Sequence, residues 1–121
     1  MSVKPLHHVS LSVRNLEHSL HFYRDLLGLR VSLTAELSDH MHEQYLRLPP
    51  GARGKVAVLQ VGPPIGAVQL IEWSHSSATT PPKRPGDHGP FLLAFELADE
   101  SIDSALSRLA VEGILPWTPP M

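Results

Sequence analysis

With 121 residues, 42% of them apolar and 18% charged, the chain has the size and composition of one globular domain with a single core. A formal net charge of −2 with scattered basic residues speaks against a nucleic-acid surface, and the lack of cysteine excludes disulfides, thiolate metal sites and cysteine nucleophiles. The opening MSVKPLHHVS has no apolar signal core and no apolar run reaches the roughly 18 residues that span a bilayer, so a cytoplasmic protein with no membrane partner is expected.

Residues 6–13, LHHVSLSV, alternate: Val9, Leu11 and Val13 share one face, His8, Ser10 and Ser12 the other. This predicts a half-buried strand whose polar face looks into a cavity. Asn15 caps a predicted helix with the apolar stripe Leu16, Leu20, Tyr23 and Leu27, and Gly28 stops it. Strands follow over 29–37, 43–48, 55–61 and 66–73, separated by Pro49-Pro50-Gly51 and Gly62-Pro63-Pro64. Much of the proline, twelve residues in all, falls between these segments, as punctuation does.

After a loop over 74–90 the order restarts. Residues 91–97 alternate as a strand, Asp99 caps a helix with Ile102, Ala105, Leu106 and Leu109 inward, and Gly113 stops it. Val13 to Leu97 is an offset of 84 residues and Gly28 to Gly113 one of 85, so the chain is read as an internal repeat. The second copy is short, since only residues 114–121 follow Gly113 and Pro116, Pro119 and Pro120 make them poor ladder donors.

The run LHHVSLSVRNLEHSLHFYRDLLGLRV resembles the opening module of the vicinal-oxygen-chelate superfamily of glyoxalases, bleomycin-resistance proteins and ring-cleaving (extradiol) dioxygenases. Its hallmark is a first strand bearing a metal-binding histidine, then a helix with a Phe-Tyr pair before a Leu-Gly turn; His8, Phe22, Tyr23 and Leu27-Gly28 match. GARGKVAVLQVG and AVQLIEW look like the third and fourth strands, and GPFLLAFEL like the start of the second module. The fold this implies is α+β: paired βαβββ modules forming an incomplete barrel-like sheet with helices outside. The single domain spans 1–121, with module one over about 5–74 and a truncated module two over about 90–121. The strands at His8 and Phe91 would be related by a pseudo-two-fold axis around a shared cavity.

Residue by residue, the resemblance makes His8 the first metal ligand and puts Gln69, in QLIEW, at the second, where glutamate is usual. Glu72 lies three residues on, and so on the opposite strand face. Leu92 stands where the third ligand, usually histidine, belongs, and the fourth has no counterpart. The implied cofactor, a divalent metal, is left with one imidazole and one amide unless His88, Glu96, another subunit or a substrate completes the shell. Glu96 shares a strand face with Leu92 and is the candidate catalytic general base. His8, Ser10, Gln69 and Leu92 are the candidate substrate-binding residues. His88, in PGDHGP, reads as an exposed loop residue, and Asp39, His40, His42 and Glu43 as a solvated turn.

The resemblance implies a protein that acts on or binds a small molecule between the modules. One reading is a metal-dependent lyase, isomerase or dioxygenase, in which the ion chelates two neighbouring substrate oxygens while a carboxylate moves the proton. Another is a metal-free binder or sequestering protein of the bleomycin-resistance kind. A third is a structural dimerisation module. A homodimer is expected, because a short second module leaves a sheet edge open.

Overall fold

The computed structural model describes residues 2–38, 44–62, 66–74, 86, 88 and 92–116. The chain divides into two compact units, Met1–Thr79 and Thr80–Met121, each taken by itself below.

The first unit is a four-stranded mixed sheet with a helix on one face. Strands β1 (His8–Val13), β2 (Arg30–Leu37), β3 (Gly54–Gln60) and β4 (Ala67–Trp73) lie in the order β1-β4-β3-β2. β1 runs parallel to β4, pairing Ser10 with Gln69 and Leu11 with Leu70, and the other pairings are antiparallel. Between β1 and β2 comes helix α1 (Leu16–Leu20), continuing without a break into a π-helical stretch, His21–Leu26. The Leu27 N–H donates to Phe22 O at 3.0 Å, the wider spacing of a π turn. This is the βαβββ order expected of module one.

The helix begins where one strand and a loop supply acceptors. Asn15 Oδ1 accepts from the His18 N–H at 2.9 Å, and Glu72 Oε1, from β4, accepts from the Leu16 N–H at 2.8 Å. Two of the donors that every helix N-terminus leaves orphaned are thereby satisfied, one of them by a negative charge where the helix dipole favours it. Gly28 ends the segment at φ 81°, in the left-handed region. The helix closes over a core of Leu20, Leu29, Ala57, Leu59, Val68 and Leu70, flanked by Leu11, Val13, Leu16, Tyr23, Leu27 and Val31. Leu59 and Leu70 are fully buried, which stabilises the fold by about 1.5–3 kcal/mol each.

Strand β2 departs from simple alternation. The pattern Val31, Leu33, Ala35, Leu37 puts every apolar side chain on one face of a regular strand. In the structure the register with β3 slips between Val31 and Leu33, so Val31 opposes Leu59 on the helix side while Leu33 opposes Val58 on the other. Ser32 is the extra residue of this bulge, its hydroxyl reaching Val58 O (3.3 Å) and Gln60 Oε1 (3.4 Å). Beyond it, Leu33, Ala35 and Leu37 line up with Val58, Val56 and Gly54 on the face away from the helix.

The strand expected over 43–48 is not found in its described part, residues 44–48. Residues 44–46 make a single helical turn and Arg47 sits at φ 55°. The reason is the direct β2–β3 pairing, which closes at Leu37 opposite Gly54 and leaves the connection outside the ladder. Two successive prolines at 49–50 remove backbone donors that a strand there would need.

In the second unit, helix α2 (Ile102–Val111) is capped by Ser101, whose Oγ accepts from the Ser104 N–H at 3.1 Å; Asp99, the expected cap, lies outside it. Serine caps as well as aspartate and stands one residue from the first helical turn. Ala105 is buried and Leu106 and Leu109 half-buried, but Ile102, expected inward, is 56% exposed. Gly113 ends the helix as expected, with the Gly113 N–H bonded to Ala110 O. The strand expected over 91–97 is not found in its described part: residues 92–97 join no ladder, and Phe91 lies outside the described residues. Alternation sorts side chains between faces but cannot supply hydrogen bonds; those need a neighbouring strand, and the described residues of this unit contain none. Among the described residues no helix is long and apolar enough to cross a membrane.

Candidate functional site

The sheet face opposite α1 carries His8, Ser10 and Ser12 from β1, Gln69, Ile71 and Trp73 from β4, Val58 and Gln60 from β3, and the residues beyond the bulge of β2. Strand parity dictates this set, because the alternate residues are consumed by the core on the other side. The expected polar face of β1 is therefore present, set beside an apolar one from β3.

Cross-strand bonds organise the polar row. The Ser10 hydroxyl donates to Gln69 Oε1 at 2.6 Å, which leaves the Gln69 NH₂ group as the end of the amide free to meet a ligand. One pair along, the Trp73 indole N–H donates to Ser12 Oγ at 3.0 Å, and a hydroxyl accepting one bond still has a proton to give. At the start of the strand, the His7 and His8 rings meet edge to face with their Nδ1 atoms 2.9 Å apart, so one ring donates to the other.

Trp73 is held from a second side. It opposes Gly54 across the β3–β4 pairing, and a β-carbon at position 54 would come within 3.0 Å of the indole ring and 3.1 Å of Ile71. Glycine there lets a ring lie on the backbone of the neighbouring strand, an arrangement that shields the gap a glycine leaves in a sheet.

Two cavities open on this face. One, of about 260 Å³, is lined by His7, His8, Ser32, Leu33, Val58 and Gln60 with Ala67 and Gln69. The other, of about 440 Å³, is lined by Leu37, Leu46, Leu48, Ile71 and Trp73 together with the row His8, Ser10, Ser12 and Gln69. They share His8 and Gln69, and the larger falls within the roughly 300–1,000 Å³ of small-molecule sites. Among the described residues that line them there is no Asp, Glu, Lys or Arg.

A divalent metal does not fit these donors. The oxygen of Gln69 is engaged by Ser10, His8 is one imidazole, and among the described residues no three His, Cys, Asp or Glu side chains come together. A catalytic zinc site ordinarily has three protein ligands. Glu72, on the opposite face as parity required, is occupied with the helix N-terminus and lies 3.8 Å from Lys55 Nζ.

Of the residues singled out from the sequence, His8, Ser10 and Gln69 come together on this face. Leu92 and Glu96 belong to the second unit, where both are exposed. His88 is exposed, and residues 39–43 lie outside the described residues. Trp73, Gly54, Gln60 and Ser32 were not singled out. Trp73 was within reach, because it shares strand parity with Gln69; the bulge that delivers Ser32 has no mark in the pattern. Perturbed titrations lie away from the cavities: burial pushes the Tyr23 phenol up in the core, and bonds from Arg24 and His21 hold the Asp25 carboxyl below its ordinary value.

The family model for the glyoxalase/bleomycin resistance protein/dioxygenase superfamily matches residues 5–121. Among solved structures, a glyoxalase family protein from Bacillus cereus is similar over 93% of this chain and 74% of its own, at 19% identity and a TM-score of 0.65. A second, SMU.1112c, covers 93% and 77% at 20% identity with a TM-score of 0.49. The first of these likenesses supports the fold alone. Among curated proteins none matches.

Proposed function

The chain belongs to the glyoxalase/bleomycin resistance protein/dioxygenase superfamily, and from that premise we propose that it binds a small organic molecule, without a metal ion, on the sheet face opposite α1. One observation carries this reading: adjoining cavities share His8 and Gln69, and the larger runs on along Ser10 and Ser12, a row of hydrogen-bonding groups backed by aliphatic and indole walls. That is the make-up of a small-molecule site, in which apolar surface supplies affinity and a few polar groups fix orientation. A mixed fragment library of neutral, anionic and cationic compounds, screened by ¹H–¹⁵N correlation spectra with chelator present, tests it. Shifts at Gln69, Ser10 and Trp73 with chelator present are expected; their absence for the whole library would defeat the reading.

A metal-dependent lyase or isomerase is the second reading, favoured by His8, whose ring borders both cavities. It needs further donors, from a substrate or another subunit, and gives Glu96 the proton transfer and Leu92 a substrate contact. Calorimetric titration of untagged protein with zinc, nickel and manganese decides between the two, with no tight stoichiometric binding expected. The proposal extends to a homodimer: β1 is an outer strand of the described sheet, bonded to β4 on one side, and outer strands invite pairing. Sedimentation equilibrium at micromolar concentration measures it.

A further inference from the structure

Resting on the binding reading above, we infer that the molecule bound is uncharged and aromatic, and presents a neutral hydrogen-bond acceptor, a ketone, quinone, lactone or amide oxygen, to Gln69 and Ser12. The charge follows from the lining. Among their described residues the cavities have no guanidinium, ammonium or carboxylate, only the imidazoles of His7 and His8, so a cationic ligand finds no opposite charge, and an anionic one no fixed one, to replace the hydration it surrenders.

The acceptor follows from which ends of the polar groups are spent. Gln69 has its oxygen occupied by the Ser10 hydroxyl, so what it offers is N–H. Ser12 has accepted from the Trp73 indole, so what it offers is O–H. Two neighbouring strands thus present donors on one face, two residues apart in register, a fit for a ligand that brings acceptors and a poor one for a ligand that brings donors of its own.

The ring follows from Trp73. Its indole is fixed by the bond to Ser12 and by the glycine beneath it at position 54, and it borders the larger cavity with Ile71, Leu37, Leu46 and Leu48. A pre-set aromatic plane with aliphatic walls favours a flat aromatic partner over a puckered aliphatic one of similar polarity.

Four probes separate these claims: 2-acetylnaphthalene, 2-naphthoate, 2-isopropylnaphthalene and cyclohexyl methyl ketone, titrated into the full ¹⁵N-labelled chain. The readouts are the Trp73 indole N–H, distinguished from that of Trp117 by Trp117→Phe, and the Gln69 side-chain amide. The aromatic ketone is expected to bind at least about tenfold more tightly than each of the other three. Gln69→Leu should bring it down to the level of the hydrocarbon, and the exposed Ser12→Ala should lower it on its own if the first variant folds poorly. Equal or tighter binding of 2-naphthoate overturns the uncharged class, equality with the hydrocarbon overturns the acceptor, and equality with cyclohexyl methyl ketone overturns the ring. If other members of the fragment library shift the same residues and these probes do not, the ligand class alone is wrong; if nothing does, the binding reading fails with it.

Discussion

The two faces of the first unit's sheet are made by the same four strands, yet they follow different rules. On the helix side, Leu59, Leu70, Ala57 and Val68 meet Leu20 and Leu29 in an apolar contact. On the other side, adjacent strands are tied by Ser10 to Gln69 and Trp73 to Ser12, and cavities remain. The difference teaches that stability and recognition are separable here by strand parity: changing one residue touches one face, and its neighbour in sequence touches the other.

That separation predicts a gradient of effects. Leu70→Ala, a fully buried position on the helix side, should cost about 2–5 kcal/mol in urea unfolding while any ligand selectivity of the folded fraction persists. Gly54→Ala crosses the divide, because the new methyl group meets Trp73 and Ile71; a loss of about 1–3 kcal/mol together with a moved Trp73 indole resonance is expected. An unmoved indole would show that the ring is not seated on that glycine.

Glu72→Ala removes the acceptor at the start of α1 and should cost about 0.5–2 kcal/mol, seen as faster hydrogen exchange in the first turn, with Glu72→Gln recovering part of it. Ser10→Ala, on an exposed hydroxyl, should change stability by less than about 0.5 kcal/mol and yet alter binding by freeing the Gln69 oxygen. The smallest effect belongs to the second unit. A bond from Arg108 holds the Glu100 carboxyl below its ordinary value, so the contribution to α2 is present above the usual carboxylate range and is lost as pH falls through the lowered pKa. Amide exchange in α2 measured down an acid series should show this slope, and Glu100→Gln should flatten it.

Strand β1 and the helix after it were legible in the sequence because period-two and helical spacing, an Asn cap and a Gly stop agree there. His8 and Ser10 followed from parity, and Gln69 from the resemblance, on strands that do form. Leu92 and Glu96 were assigned a shared face on a strand whose described residues form no ladder, and such an inference has no more support than the pairing beneath it. The segment 43–48 failed for a related reason: Leu46 and Leu48 alternate as a strand would, but β2 and β3 pair directly and leave it aside, where those leucines become cavity wall instead. The Trp73–Gly54 pair was hidden because a glycine has no side chain for a pattern to count.

The bulge at Ser32 gives β2 a point at which it can absorb a change of chain length. Deleting Ser32 would leave Val31 opposite Leu59 and Leu33 opposite Val58, giving one uninterrupted ladder in which Leu33, Ala35 and Leu37 keep the cavity side and Thr34 and Glu36 the other. The bulge is therefore a place where one residue can be lost without moving any side chain beyond it from one face to the other, and an engineered library of length variants at 31–33 would test this directly.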